Sequence, residues 1–161
     1  MRRHLGTVLL GLVISVALAA FAQQPAPKLK DVIEHMKQFA TSHGGLVSRM
    51  PQGTSYFKWI QNPPPGYEKA FFQLIELNIG KRFLSLKLVR KTAAGVELTV
   101  LTDNDLNGNI EEAYRATGRS LADADRAIQT SQDKLKTAVT PELVAKWTEG
   151  LDELKFELKA D

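Results

Sequence analysis

The chain contains no cysteine, and that absence alone excludes a disulfide framework, a thiolate nucleophile and a lipid-anchored lipoprotein. Histidine is scarce as well, with three in the whole chain. No G-x-S-x-G elbow, H-E-x-x-H helix or glycine-rich phosphate loop occurs. The paired carboxylates at Glu111-Glu112 and Asp123-Asp125 sit at adjacent or alternate positions, so on a helix they diverge and cannot straddle a scissile bond. These gaps leave hydrolysis a distant alternative. Long apolar runs are also missing: the longest, Leu5–Ala20, is interrupted by Gly6, Thr7, Gly11 and Ser15. It falls short of the roughly 20 residues a spanning helix needs.

That run has the form of an export leader. Arg2, Arg3 and His4 make a basic start, the apolar stretch follows, and Ala20-Phe21-Ala22 is a small-x-small cleavage site. We therefore expect residues 1–22 to be a secretory signal peptide and the protein to be periplasmic or secreted. Residues 23–28, with Pro25 and Pro27, read as a disordered leader, and 29–161 as one domain. Without the leader's two arginines the chain has 19 basic and 18 acidic residues, which removes the support for a nucleic-acid partner. The distribution is uneven: residues 28–91 carry 11 basic and 4 acidic side chains, and 92–161 carry 8 and 14. Two halves that complement each other within one fold account for this, and so does a basic face that meets an acidic protein or envelope partner.

Leu29, Val32, Ile33, Met36 and Phe39 recur at helical spacing and stop at Gly44-Gly45. His35 and His43 lie along the edge of this helix without a third ligand and read as surface residues. In Ser55–Gln61 the side chains alternate, with Phe57 and Trp59 on one face and Tyr56, Lys58 and Ile60 on the other, and we expect a strand with one face buried in the core. Pro63-Pro64-Pro65 is a stiff connector. Residues 67–79 fit both periods, and their aromatic and β-branched content favours a strand. Leu84, Leu86 and Leu88, then Val96, Leu98 and Val100, mark two further strands joined by a short hairpin loop. Ile110 to Ala116 suggests a short helix. Ser120 with Asp123 resembles a capping box that opens a helix running through Leu135 and Ala138. Thr140-Pro141-Glu142 opens another, with Leu143, Trp147, Leu151, Leu154 and Leu158 on one side and Gly150 as a point of bend or close contact. The fold class predicted is α+β: an N-terminal helix, a four-stranded antiparallel meander with one apolar face, and a C-terminal antiparallel helical pair packed on it.

Between sheet and helices lies Thr102 to Tyr114, where Asp103, Asp105 and Asn107 place side-chain oxygens at alternate positions and Gly108 follows as a turn. Ile110 and Glu111 come next. The stretch resembles the EF-hand calcium loop and the bacterial loops built on D-x-D-x-D-G. The resemblance covers about a dozen residues and lacks the closing bidentate Glu, since Tyr114 stands there. It implies calcium held by Asp103, Asp105, Asn107, the backbone carbonyl of Asn109, and Glu111. With the closing ligand missing, affinity belongs at the weak extracellular end, about 10⁻⁴ to 10⁻³ M. The same residue types are ordinary turn formers, and a plain turn is the competing reading. The function expected is an exported non-enzymatic domain whose acidic loop steadies the crossing from sheet to helices. The alternative is a metal-independent interaction or envelope protein, its oligomeric state left open.

Overall fold

A computed structural model describes residues 28–160; the expected signal peptide at 1–22, and all but Lys28 of the expected leader, lie outside the described residues. The chain opens with α1 (Leu29–Ser42), whose Val32, Ile33, Met36 and Ala40 form one buried face. Seven strands and three more helices follow: β1 (Val47–Met50), β2 (Gly53–Ile60), β3 (Lys69–Leu77), β4 (Arg82–Thr92), β5 (Gly95–Asp103), β6 (Glu112–Gly118), α2 (Leu121–Thr130), α3 (Gln132–Leu135), β7 (Lys136–Thr137) and α4 (Pro141–Ala160). The strands lie side by side in chain order, every neighbour antiparallel. Each connection within the sheet is therefore local.

Both faces of this sheet carry apolar cores. On the first, Ala70, Phe72 and Leu74 of β3 and Leu84, Leu86 and Leu88 of β4 pack under Val32, Ile33 and Met36 of α1 and Leu143, Trp147, Leu151 and Leu154 of α4. On the second, Phe71, Val89, Leu98, Val100, Tyr114 and Ala116 meet Ala124 and Ile128 of α2. Residues 84–89 of β4 are all buried, as a central strand with both faces covered requires. Gly150 lets α4 approach closely, because a Cβ there would stand 2.6 Å from a Leu86 methyl.

Several expectations are overturned. The sheet has seven strands, not four. β1 forms from Val47–Met50, where no alternation marks it. β6 takes the residues expected to be a short helix, because pairing with β5 outweighs the helix propensity of Ala113 and Ala116. The helix opened by Ser120 stops at Thr130, and Lys136–Thr137 add an edge strand instead. The C-terminal helices are not a pair on one face, since α2 and α4 cover opposite faces and leave the sheet apolar on both. β2 turns one of its two faces to the helices. Its Tyr56, Lys58 and Ile60 side lies under the helices, while Trp59 is 43% exposed.

Candidate metal centre

β5 ends at Asp103 on the face covered by α4, opposite Leu84 of β4. The chain must then turn back to become β6, and residues 104–111 do so as a loop folded over the end of the core. Leu106 and Ile110 pack their side chains into it. Leu106 holds a left-handed backbone, φ 60°, and Gly108 another, φ 95°; such a conformation costs a β-carbon-bearing residue about 1 kcal/mol or more. For Leu106 the burial of its side chain opposes that cost, and for Gly108 there is none.

The loop is knitted by its acidic side chains. Asp103, which has no exposed surface, accepts from the amides of Gly108 at 2.7 Å and Asn107 at 3.2 Å. The Asn107 amide also donates to Asp105 at 3.1 Å, and the Asn107 side-chain oxygen accepts from the Asn109 amide at 2.7 Å. Glu111 receives the amide of Asn104 at 2.7 Å and the side-chain nitrogen of Asn107 at 3.2 Å. From below, the Trp147 indole donates to the Gly108 carbonyl at 2.8 Å, tying the loop to the middle of α4. Trp147 itself is 2% exposed and meets Phe72 edge-on.

Asp103, Asp105 and Glu111 each bring one carboxylate oxygen within 4.8 Å of the others. None of the three has a lysine or arginine partner among the described residues. Burial pushes the Asp103 carboxyl above the ordinary carboxylate range. The Gly108 and Asn107 amides pull it back, and the nearby Glu111 charge adds to the push. Every donor in the cluster is a hard oxygen, the set suited to calcium or magnesium and not to softer transition metals.

Of the five residues predicted as ligands, the structure converges three. Asn107 is adjacent, but its oxygen is turned to the Asn109 amide and its nitrogen to Glu111. Asn109 enters the network through its amide. Glu112, next along the chain from Glu111, points elsewhere. Lys136 at 2.7 Å, the Asn104 side chain at 3.1 Å and the Tyr114 hydroxyl at 2.8 Å all donate to it. Those hydrogen bonds hold its carboxyl well below the ordinary range, at about 2. Burial and the same Glu112 contact push the Tyr114 phenol up to about 12. The role of Trp147 was not visible in the sequence, because an indole at a helical core spacing carries no sign of the carbonyl it meets.

No protein-family model, curated protein or solved structure matches the chain.

Proposed function

We propose that the loop from Asp103 to Glu111 binds a hard divalent cation, calcium foremost, in an exported non-enzymatic domain where the ion clips the end of the sheet to α4. The single observation behind this reading is the convergence of three carboxylates, one fully buried, with no basic side chain of the described residues to offset them. Like charges at such separations repel, and a cation between them converts that repulsion into attraction. The ligand set is small and the closing glutamate is absent, so the dissociation constant belongs near 10⁻⁴ to 10⁻³ M. At roughly millimolar calcium a site of about 10⁻⁴ M adds about 1.4 kcal/mol to stability. That magnitude suits a structural clip and not a switch.

One observation favours the metal-independent alternative. Both Asp103 oxygens already accept backbone amides, so the loop can close as a turn on its own hydrogen bonds. Isothermal titration of calcium into the purified protein separates the two. The proposal expects one site in the stated range and weaker binding of magnesium, whose stricter geometry and reluctant dehydration this loop does not serve. Absence of binding up to about ten times the upper constant would leave the loop a turn.

A further inference from the structure

The other end of the molecule carries a groove unrelated to the acidic loop. It runs between the C-terminal half of α1 and the edge strand β1. One lobe, about 580 Å³, is lined by Ala40, Thr41, Gly44, Gly45, Val47, Arg49, Thr54 and Tyr56. A second, about 440 Å³, continues along Glu34, Lys37, Gln38 and Ser42 and shares Thr41 and Tyr56. These volumes are of the size that holds ligands, and three features say what kind.

The first is backbone polarity. The Leu46 carbonyl accepts from the Phe57 amide at 2.8 Å, which turns Leu46 towards β2. In an antiparallel ladder successive residues alternate, so Ser48 also faces β2, while Val47 and Arg49 present their N–H and C=O groups to the open edge. The same two residues line the groove. The second is space: a β-carbon on Gly44 or Gly45 would meet nothing within 4 Å, so a second backbone can draw close to the loop that leads into β1. The third is charge. Arg49 has no acidic partner among the described residues, whereas Lys37 is paired with Glu76 at 3.0 Å and Glu34 with Arg82 at 3.4 Å. The groove lies wholly within the segment that carries 11 basic and 4 acidic residues.

We infer that this groove takes an extended, acidic peptide segment of a partner protein, added as an eighth strand along β1. Its main chain pairs with Val47 and Arg49, one carboxylate meets the Arg49 guanidinium, and a small apolar side chain rests on Val47 and the Tyr56 ring. Strand addition of this kind draws affinity from the main chain and selectivity from the pockets on alternate side chains. It names a partner class for a protein–protein role and stands whether or not the acidic loop holds an ion.

The test uses short acetylated and amidated peptides with the purified protein, followed by fluorescence anisotropy and by amide shifts in NMR spectra. A peptide repeating valine-threonine-aspartate-threonine, which sets valine and aspartate alternately on one face, should bind, shift the amides of residues 44–50, and weaken as salt rises. The same peptide with lysine in place of aspartate, or with its backbone amides N-methylated, should fail, the first for charge and the second for want of donors. Arg49→Glu should weaken the acidic peptide at least about tenfold, the equivalent of about 1.4 kcal/mol. Val47→Pro removes one outward N–H, which an edge strand tolerates, and should cost binding while β1 stays paired. Equal binding of the lysine or N-methylated peptide, or no change with Arg49→Glu, overturns the assignment. So does a concentration-dependent dimer that closes the β1 edge and excludes the peptide.

Discussion

Two buried carboxylates, Glu157 on α4 and Asp103 in the loop that Trp147 of α4 holds, are compensated differently. Glu157, near the C-terminal end, is 7% exposed and meets the Lys58 ammonium of β2. It also accepts the Gln61 amide, and the same Lys58 lies 4.4 Å from the centre of the Phe39 ring. Asp103, near the N-terminal half, is fully buried and meets amides alone. A buried charge is tolerated when it is both hydrogen-bonded and paired. The first carboxylate satisfies both conditions from within the chain. The second satisfies one, and beside it stand two more carboxylates. Under the proposal above, the second is the one that takes its cation from solution.

Breaking the compensated end should have the largest effect. Lys58→Ala leaves Glu157 buried without its cation, and we expect a loss of about 3 to 5 kcal/mol in chemical denaturation. Lys58→Met combined with Glu157→Leu should recover most of that loss, because the cost lies in the orphaned charge and not in the missing attraction. A double variant as unstable as the single one would show that α4 docks by some other contact. The uncompensated end is held from below by Trp147. Trp147→Phe keeps the aromatic contact with Phe72 but leaves the Gly108 carbonyl without its donor, at a cost of about 1 to 3 kcal/mol. Faster exchange of the amides of Asn107 and Gly108 would accompany it.

Acid sharpens the contrast, since neighbouring carboxylates respond with opposite sign. Glu112 has a folded pKa of about 2 against an ordinary 4.5. It contributes stability that is fully present above about pH 4.5 and is lost as pH falls towards 2. Lys136 is half exposed, so solvent screening limits that contribution to about 1 to 2 kcal/mol. Glu112→Gln should remove this limb of the stability profile. Asp103 is shifted upward by burial. In metal-free protein its ionised form therefore costs stability above its folded pKa, and protonation relieves that cost. Asp103→Asn should flatten this component, at a cost of about 1 to 3 kcal/mol because one of the two loop amides loses its acceptor.

Much of this arrangement was legible in residue order. The alternation at Leu84–Leu88 and Val96–Val100 marks the central strands, Leu29 to Phe39 marks α1, and Thr140-Pro141 marks the start of α4, where the Thr140 hydroxyl accepts the Leu143 amide at 3.3 Å. The acidic loop was legible as a cluster, because the loop itself brings Asp103, Asp105 and Glu111 together. What was hidden depends on partners distant in sequence. β1 has four mostly exposed residues, so it has no apolar alternation and exists by pairing with β2. β6 presents Ala113 to one core and Tyr114 and Ala116 to the other, and in so short a run Ile110, Ala113 and Ala116 also fall at helical spacing. The orientation of β2 follows from Lys58, whose burial makes sense only once Glu157 arrives from 99 residues away. The alternation in β2 does not say which face is buried, and the lysine side is the one that α1 and α4 cover.

The central claim is that the cluster under Gly108 holds a hard divalent ion, and a thermal melt of the purified protein tests it most directly. With chelator against 5 mM calcium, at least about five times the expected constant, the melting temperature should rise by about 5 °C. The rise should disappear in Asp103→Asn combined with Asp105→Asn. Identical melting temperatures in chelator and calcium for the unaltered protein would contradict the claim and leave Asp103 a buried turn residue.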